Sequence, residues 1–220
     1  MKRGLFGGSF DPIHLGHLRC AEEICELFSL DEILFIPAER QPLKTERGLL
    51  SFHHRAAMVE LAIAGNPAFE ISRRENRRGG ISYSIDTVRE FMEEQEPGQE
   101  GDLYFIVGQD AFQDIYLWKD WRELLRRCNI IVMTRPGFDS ADLEEILPAD
   151  CSGEFSFDES GDCFQGTGGR AIYFRRLTGL DISSSDIRTR RASGRSIRYL
   201  VPDSVEAYIE SEGLYGPATD

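Results

Sequence analysis

Two short clusters in this chain have the side chains and spacing for phosphate chemistry. The first is Gly7-Gly8-Ser9-Phe10-Asp11-Pro12-Ile13-His14-Leu15-Gly16-His17. An apolar run ending at Leu5-Phe6 precedes it, and Leu18, Ala21, Ile24, Cys25 and Phe28 follow at helical spacing, so the cluster joins a strand to a helix. Glycine has no Cβ, so Gly7 and Gly8 let a ligand lie against the backbone. A helix opening near Gly16 turns free N–H groups and the positive end of its dipole toward an anion. His14 and His17 share a face of its first turn, with Gly16 between them leaving room for a phosphate. Two imidazoles there can donate hydrogen bonds to a phosphoryl group as charge grows on it. The Gly-Gly pair also fits a plain turn, and its spacing is not the G-x-G-x-x-G of dinucleotide-binding dehydrogenases.

The second cluster is Asp181-Ile182-Ser183-Ser184-Ser185-Asp186-Ile187-Arg188. Three hydroxyls opening a helix can cap it and bind phosphate together with the backbone N–H groups. Arg188 lies one turn in, where a guanidinium fork can grip phosphate oxygens. By itself this stretch reads first as an ordinary serine cap with an exposed arginine. Between the clusters, Gly108-Gln109-Asp110 follows the apolar run Leu103–Val107, and Trp118 comes eight residues after Asp110. Arg135, before Pro136-Gly137, either reaches a phosphate or ends a strand.

The elements that must position these residues read as alternating strands and helices. Apolar runs at Ile33–Ile36, Leu103–Val107, Ile130–Met133 and Ala171–Phe174, with a weaker one at Phe69–Ile71, predict strands. Helical spacing predicts helices from Gly16 to Phe28, after a Ser51 cap, after a Ser84 cap, from Trp118 to Arg127, and near Ser184–Arg191 and Ser204–Glu212. Continuous apolar strands alternating with helices predict an α/β, Rossmann-like doubly wound fold with a mainly parallel sheet and helices on both faces. Ligands of such sheets bind beyond the carboxyl ends of the strands. Residues 1–220 read as one domain, with an acidic irregular insertion at about 138–170 and a small helical C-terminal part from about 183. Of the two tryptophans, Trp121 is the expected core residue.

The 220 residues carry a formal charge of −13. Nine of the acids and none of the bases fall between Phe138 and Gly169, leaving 29 acids and 25 bases elsewhere. That balance argues against a nucleic-acid partner while leaving a nucleotide site free of a strong negative field. No apolar run is long enough to span a membrane, and the start is too short in apolar residues for a secretory signal, so a cytoplasmic location is expected. Five cysteines without a C-x-x-C pair predict neither a disulfide framework nor a zinc site. No protein metal site is expected.

Taken together, the residues from Gly7 to His17 resemble the nucleotidyltransferase superfamily, whose H-x-G-H motif is matched by His14-Leu15-Gly16-His17. The Gly-Gly-Ser-Phe-Asp-Pro-Ile-His run is most similar to the bacterial nicotinate-nucleotide adenylyltransferases. The family's I-S-S-T-x-I-R motif is matched from Ile182 to Arg188, with Ser185 in place of Thr. The resemblance implies His14 and His17 as catalytic groups. It places Gly7, Gly8, Ser9, Phe10, Gly16, Gly108, Asp110, Ser183, Ser184 and Arg188 around ATP. It implies a mononucleotide site made by Lys44, Ser84, Asp110, Trp118 and Arg135, although Leu43 stands where the family usually has His. Trp118 would stack on the pyridine ring, for which a flat indole is suited. The implied reaction is adenylyl transfer from ATP to nicotinate mononucleotide, with Mg²⁺ carried by the triphosphate. The rival readings are an adenylyltransferase for nicotinamide mononucleotide or phosphopantetheine, a non-catalytic nucleotide sensor, and a dehydrogenase.

Overall fold

The computed structural model describes residues 1–42, 49–94, 101–134 and 153–216. Its centre is an eight-stranded sheet in the order β3-β2-β1-β4-β5-β8-β7-β6. The strands are β1 (Lys2–Gly8), β2 (Glu32–Pro37), β3 (Phe69–Ile71), β4 (Asp102–Gly108), β5 (Asn129–Thr134), β6 (Phe155–Asp158), β7 (Cys163–Gly166) and β8 (Ala171–Arg176). The pairs from β3 across to β8 are parallel, and β8-β7 and β7-β6 are antiparallel. The helices are α1 (Leu15–Phe28), α2 (Phe52–Ile63), α3 (Arg74–Arg78), α4 (Ser84–Glu93), α5 (Gln109–Phe112), α6 (Trp121–Arg127), α7 (Ser184–Ala192) and α8 (Asp203–Ser211).

Alternation along each strand sends side chains to two cores, as the period of a strand requires. Phe6, Ile33, Phe35, Tyr104, Ile106 and Ile131 pack on one face with Ala21 and Ile24 of α1, Met58 and Val59 of α2, Ile187 of α7 and Val205 and Ile209 of α8. Leu5, Leu34, Ile36, Phe105, Val107 and Val132 pack on the other face with Val88 and Phe91 of α4, Phe112 of α5 and Leu124 and Leu125 of α6. The chain leaving β1 therefore enters a helix on one face, and the chain leaving β4 enters helices on the other. β1 and β4 are neighbours, so a crevice opens between their carboxyl ends, the place where a doubly wound sheet binds its ligand.

Three local expectations are corrected. Part of the segment read as irregular is a hairpin: β6 and β7 extend the sheet past β8, with Phe164 opposite Ile172. Its alternation was hidden by the glycines and acids around it. The helix expected from Trp118 starts at Trp121; Trp118 instead ends a 3₁₀ turn, Ile115–Leu117. Ser84 is the first residue of α4 rather than its cap, a place held by Tyr83. Trp121 is buried, as expected. Among the described residues no helix is long and apolar enough to cross a membrane. The expected residues Lys44 and Arg135, together with Cys151, lie outside the described residues.

Candidate active site

β1 ends at the crevice, and the loop after it is packed rather than open. Phe10 has φ 49°, and its ring is 2 % exposed. That ring lies against Gly8, where a Cβ would come within 3.0 Å of it, and it meets the rings of Phe6, Phe35 and His17. The Phe10 ring is therefore a core support for His17, which leaves the backbone of Phe10 for the expected contact with ATP. Gly7 is open by comparison, with nothing nearer than 3.9 Å to an added Cβ.

His14 caps α1 and His17 sits in its first turn, and their rings stack with centroids 3.6 Å apart. The space beside Gly16, expected to admit a phosphate, is filled by the His14 ring, 3.1 Å from where a Cβ would stand. Glycine is needed here so that the imidazole can lie flat across the helix start. The backbone N–H of His14 donates to His17 Nδ1 at 3.2 Å. A nitrogen accepting that bond has no proton, so the His17 proton is on Nε2. Burial pulls the His14 pKa down to about 4. Burial, then the neighbouring His14, holds His17 well below the usual histidine range. Both rings are thus neutral near pH 7, each with one N–H to donate. Leu15 N–H is taken by Leu200 O at 3.0 Å. Among the described residues the N–H of Gly16 has no protein acceptor, which leaves a donor at the positive end of the α1 dipole.

The second cluster docks on the first. Ser184 Oγ donates to Pro12 O at 2.8 Å, and Arg188 Nη1 donates to Asp11 O at 2.7 Å. These bonds bring the N-terminus of α7 against the loop that opens α1. Ser183 caps α7 by accepting from the Asp186 N–H at 3.1 Å. Its oxygen and the Ser184 proton are thereby occupied within the protein. Among the described residues the N–H groups of Ser184 and Ser185 have no protein acceptor, so the backbone supplies the free donors at this helix start. The Arg188 side chain is 34 % exposed and retains guanidinium protons beyond its bonds to Asp11 and Ser185.

Sequence reasoning missed what holds the first loop. Arg55 is 2 % exposed and donates to Ser9 O at 2.8 Å and Leu50 O at 3.0 Å. Burial lowers its pKa, with Asp11 as the leading opposing charge. Asp11 is 1 % exposed and accepts from Tyr215 Oη at 2.6 Å. Its other oxygen has no hydrogen-bond partner and lies 3.9 Å from Arg188 Nη1. The only signal in the sequence was an arginine inside an apolar helix pattern, which is equally the pattern of a surface residue. The adjoining His53 is exposed, and His54 Nδ1 pairs with Tyr208 Oη at 2.9 Å on the helix surface.

The β4 end supplies the other half of the crevice. Gly108 has φ −73° and no neighbour within 4 Å of an added Cβ, so the protein itself does not require glycine there. A ligand lying against the backbone would. Asp110 is exposed in the first turn of α5. Trp118 is partly buried, edge-on to Phe105 at 6.0 Å. The following residue, Lys119, pairs with Asp86 at 2.9 Å and lies over the Tyr83 ring at 4.9 Å. That contact brings Trp118 and the start of α4, with Ser84, into one neighbourhood. Among the described residues the N–H groups of Ser84 and Ile85 have no protein acceptor. No group of three or more His, Cys, Asp or Glu side chains that could hold a metal lies together among the described residues.

The family described as Cytidylyltransferase-like matches residues 5–190. A probable nicotinate-nucleotide adenylyltransferase of Pelobacter propionicus is 49% identical over 215 residues, covering 98% of each chain. One from Geobacter sulfurreducens is 44% identical over 215 residues, again covering 98% of each chain. Among solved structures, the Plasmodium falciparum nicotinic acid mononucleotide adenylyltransferase complexed with NaAD has a TM-score of 0.71, with 20% identity and 97% of each chain covered. At that identity the likeness carries the fold. The two motifs, their meeting at the crevice and the full-length relatives together assign this chain to the Cytidylyltransferase-like family and, within it, to the nicotinate-nucleotide adenylyltransferases.

Proposed function

We propose that this protein transfers the adenylyl group of ATP to nicotinate mononucleotide, releasing pyrophosphate and forming deamido-NAD, a step of NAD biosynthesis. The observation that carries it is the docking of the two phosphate motifs: Ser184 on Pro12 and Arg188 on Asp11 turn two helix N-termini toward one crevice. Relatives named for this activity support the acceptor.

In the reaction a phosphate oxygen of the mononucleotide attacks the α-phosphorus of ATP. The bond from that phosphorus to the β-bridging oxygen breaks, and its electron pair leaves with pyrophosphate. The nucleophile is already anionic at neutral pH, so the chain needs no base of its own. Its work is placement and charge stabilisation. His17 would donate from Nε2 and His14 from its free N–H to the phosphate oxygens. Gly16, Ser184 and Ser185 add backbone donors, and Arg188 adds charge. Mg²⁺ carried by the triphosphate of ATP would supply further charge neutralisation.

At the acceptor end, Trp118 offers a face to the pyridine ring. The N–H groups of Ser84 and Ile85 suit a carboxylate, which only accepts, and oppose an amide, which brings its own donors. A site of that kind rejects the wrong group by leaving polar atoms unpaired. The test supplies MgATP with nicotinate or nicotinamide mononucleotide and measures pyrophosphate release. Strong preference for the acid is expected. Equal use of the two overturns the acid preference, and release with neither overturns the reaction.

A further inference from the structure

We infer that Glu75 is a positioning residue for the mononucleotide end of the site, pinning two of its loops to one buried carboxylate. This rests on the acceptor reading above. Glu75 lies on α3, outside both phosphate motifs and touching no residue assigned to substrate, yet it is 7 % exposed. Thr87 Oγ1 in the first turns of α4 donates to Glu75 Oε1 at 2.8 Å. The Ser82 hydroxyl lies close enough to the same carboxylate to favour its charged form. Burial pushes the Glu75 carboxyl above its usual range, while the two hydroxyls and Arg78 act in the opposite sense.

Ser82 then reaches a third segment. Its oxygen accepts from the Glu39 N–H at 2.9 Å, and its own N–H donates to Arg40 O at 2.8 Å. Asn76, beside Glu75, also donates to the Glu39 carboxylate at 2.7 Å. The segment after β2 and the start of α4 are thus both fastened to α3. From the start of α4 the path continues through the Asp86–Lys119 pair to Trp118. Nothing in the core requires an acid at position 75. A buried carboxylate is stabilised only by such bonds, so the bonds must be kept and the loops with them. The α1–α7 crevice that would take ATP is held by other hydrogen bonds, through Asp11, Arg55 and Tyr215, and among the described residues its link to Glu75 is only the charge that Glu39 and Glu75 present to Arg55. Loosening Glu75 should therefore be felt at one substrate and not the other.

The experiment compares Glu75→Ala, Glu75→Gln and Thr87→Val with wild type. Steady-state titrations of both substrates are combined with amide hydrogen exchange. Glu75→Ala is expected to raise the KM for nicotinate mononucleotide about ten- to hundredfold, the scale of a roughly 1 Å misplacement. The KM for ATP should stay within about twofold of wild type. Glu75→Gln keeps an acceptor oxygen and should recover most of the loss. Exchange should quicken at residues 39–40 and 82–87 in Glu75→Ala. If that variant does not fold, Thr87→Val removes one donor alone and should show the same selective rise, smaller. A KM for the mononucleotide unchanged, or both KM values rising together, overturns the inference, as does unchanged exchange in those two segments. Wild-type protein that uses no mononucleotide would remove the acceptor reading instead. The exchange result would still judge the Glu75 bracket by itself.

Discussion

Gly16→Ala separates stability from catalysis at the centre of the site. Gly16 is buried in the first turn of α1 with ordinary helical backbone, so alanine is compatible there. Replacing a helical glycine with alanine favours folding by about 1 kcal/mol. The new methyl, however, stands 3.1 Å from His14 Nδ1 and 3.2 Å from its Cε1. The ring must shift by a few tenths of an ångström. It cannot shift toward His17, because the two rings already stack at 3.6 Å, so it tilts and carries its N–H off line. Misplacement of a positioned group by as much as 1 Å reduces rate about 10²-fold. A smaller tilt of one of two donors should lower kcat/KM about ten- to hundredfold. Thermal unfolding should occur at the wild-type midpoint or a few degrees above it, since about 1 kcal/mol moves a chain of this size by about 2–4 °C. Pyrophosphate release under saturating MgATP and a melting curve on the same sample are the two measurements. Activity within about twofold of wild type would show that the His14 ring does not need its present seat.

The lowered His14 pKa predicts an acid limb in stability. Its folded value of about 4 lies below the ordinary 6.5, so the unfolded chain takes up a proton that the folded one refuses. Stability is intact above pH 6.5 and falls as pH drops toward 4, by about 3 kcal/mol across the window. His17 acts in the same direction. Urea denaturation across that range should show the limb, and His14→Asn should shrink it to the part that His17 contributes; an unaltered limb would mean that folding does not lower the His14 pKa. Tyr215→Phe deletes the hydroxyl that donates to the buried Asp11 carboxylate. It should reduce stability by about 1.5–3 kcal/mol and slow turnover with little change in the mononucleotide KM. Urea denaturation that matched wild type would place the carboxylate in another bonding scheme. Trp118→Ala should raise the mononucleotide KM far more than the ATP KM. A change confined to ATP would make Trp118 a packing residue only.

The sheet was legible because its strands are continuous apolar runs covered on both faces, as Leu103–Val107 and Ile130–Met133 illustrate. The two phosphate motifs were legible because each combines a strand or loop with a helix start at fixed spacing. The hairpin of β6 and β7 was not, since edge strands facing solvent carry no apolar run: Phe157 is exposed, and Asp158 and Gln165 share the strands with it. The role of Gly16 was only half legible. Sequence announces that a side chain is unwelcome but does not say whether a ligand or a neighbouring ring fills the space. Arg55, Asp11, Tyr215 and Glu75 were invisible for a shared reason. Arg55, Asp11 and Tyr215 work through partners distant in sequence and Glu75 through hydroxyls across a short loop, and a buried ion or carboxylate is written with the same letter as an exposed one.

In the proposed reaction, that set would explain how a site of neutral imidazoles could handle a triphosphate. With both rings uncharged near pH 7, they can orient the phosphate oxygens but cannot neutralise them. Under the proposed reaction, positive character would come from the helix starts at Gly16 and Ser184–Ser185, from Arg188, and from the Mg²⁺ expected on the substrate. Helix starts are effective only if held still and pointed at the same place, because their field fades within a turn. The bonds from Arg55 to Ser9, Ser184 to Pro12, Arg188 to Asp11 and Tyr215 to Asp11 fix the loop between them from four directions. Two of those donors lie on α7 and a third follows α8. The C-terminal helices thus hold the loop that opens α1, and under the proposed reaction a substitution at Tyr215 should be felt at His14 through that shared loop.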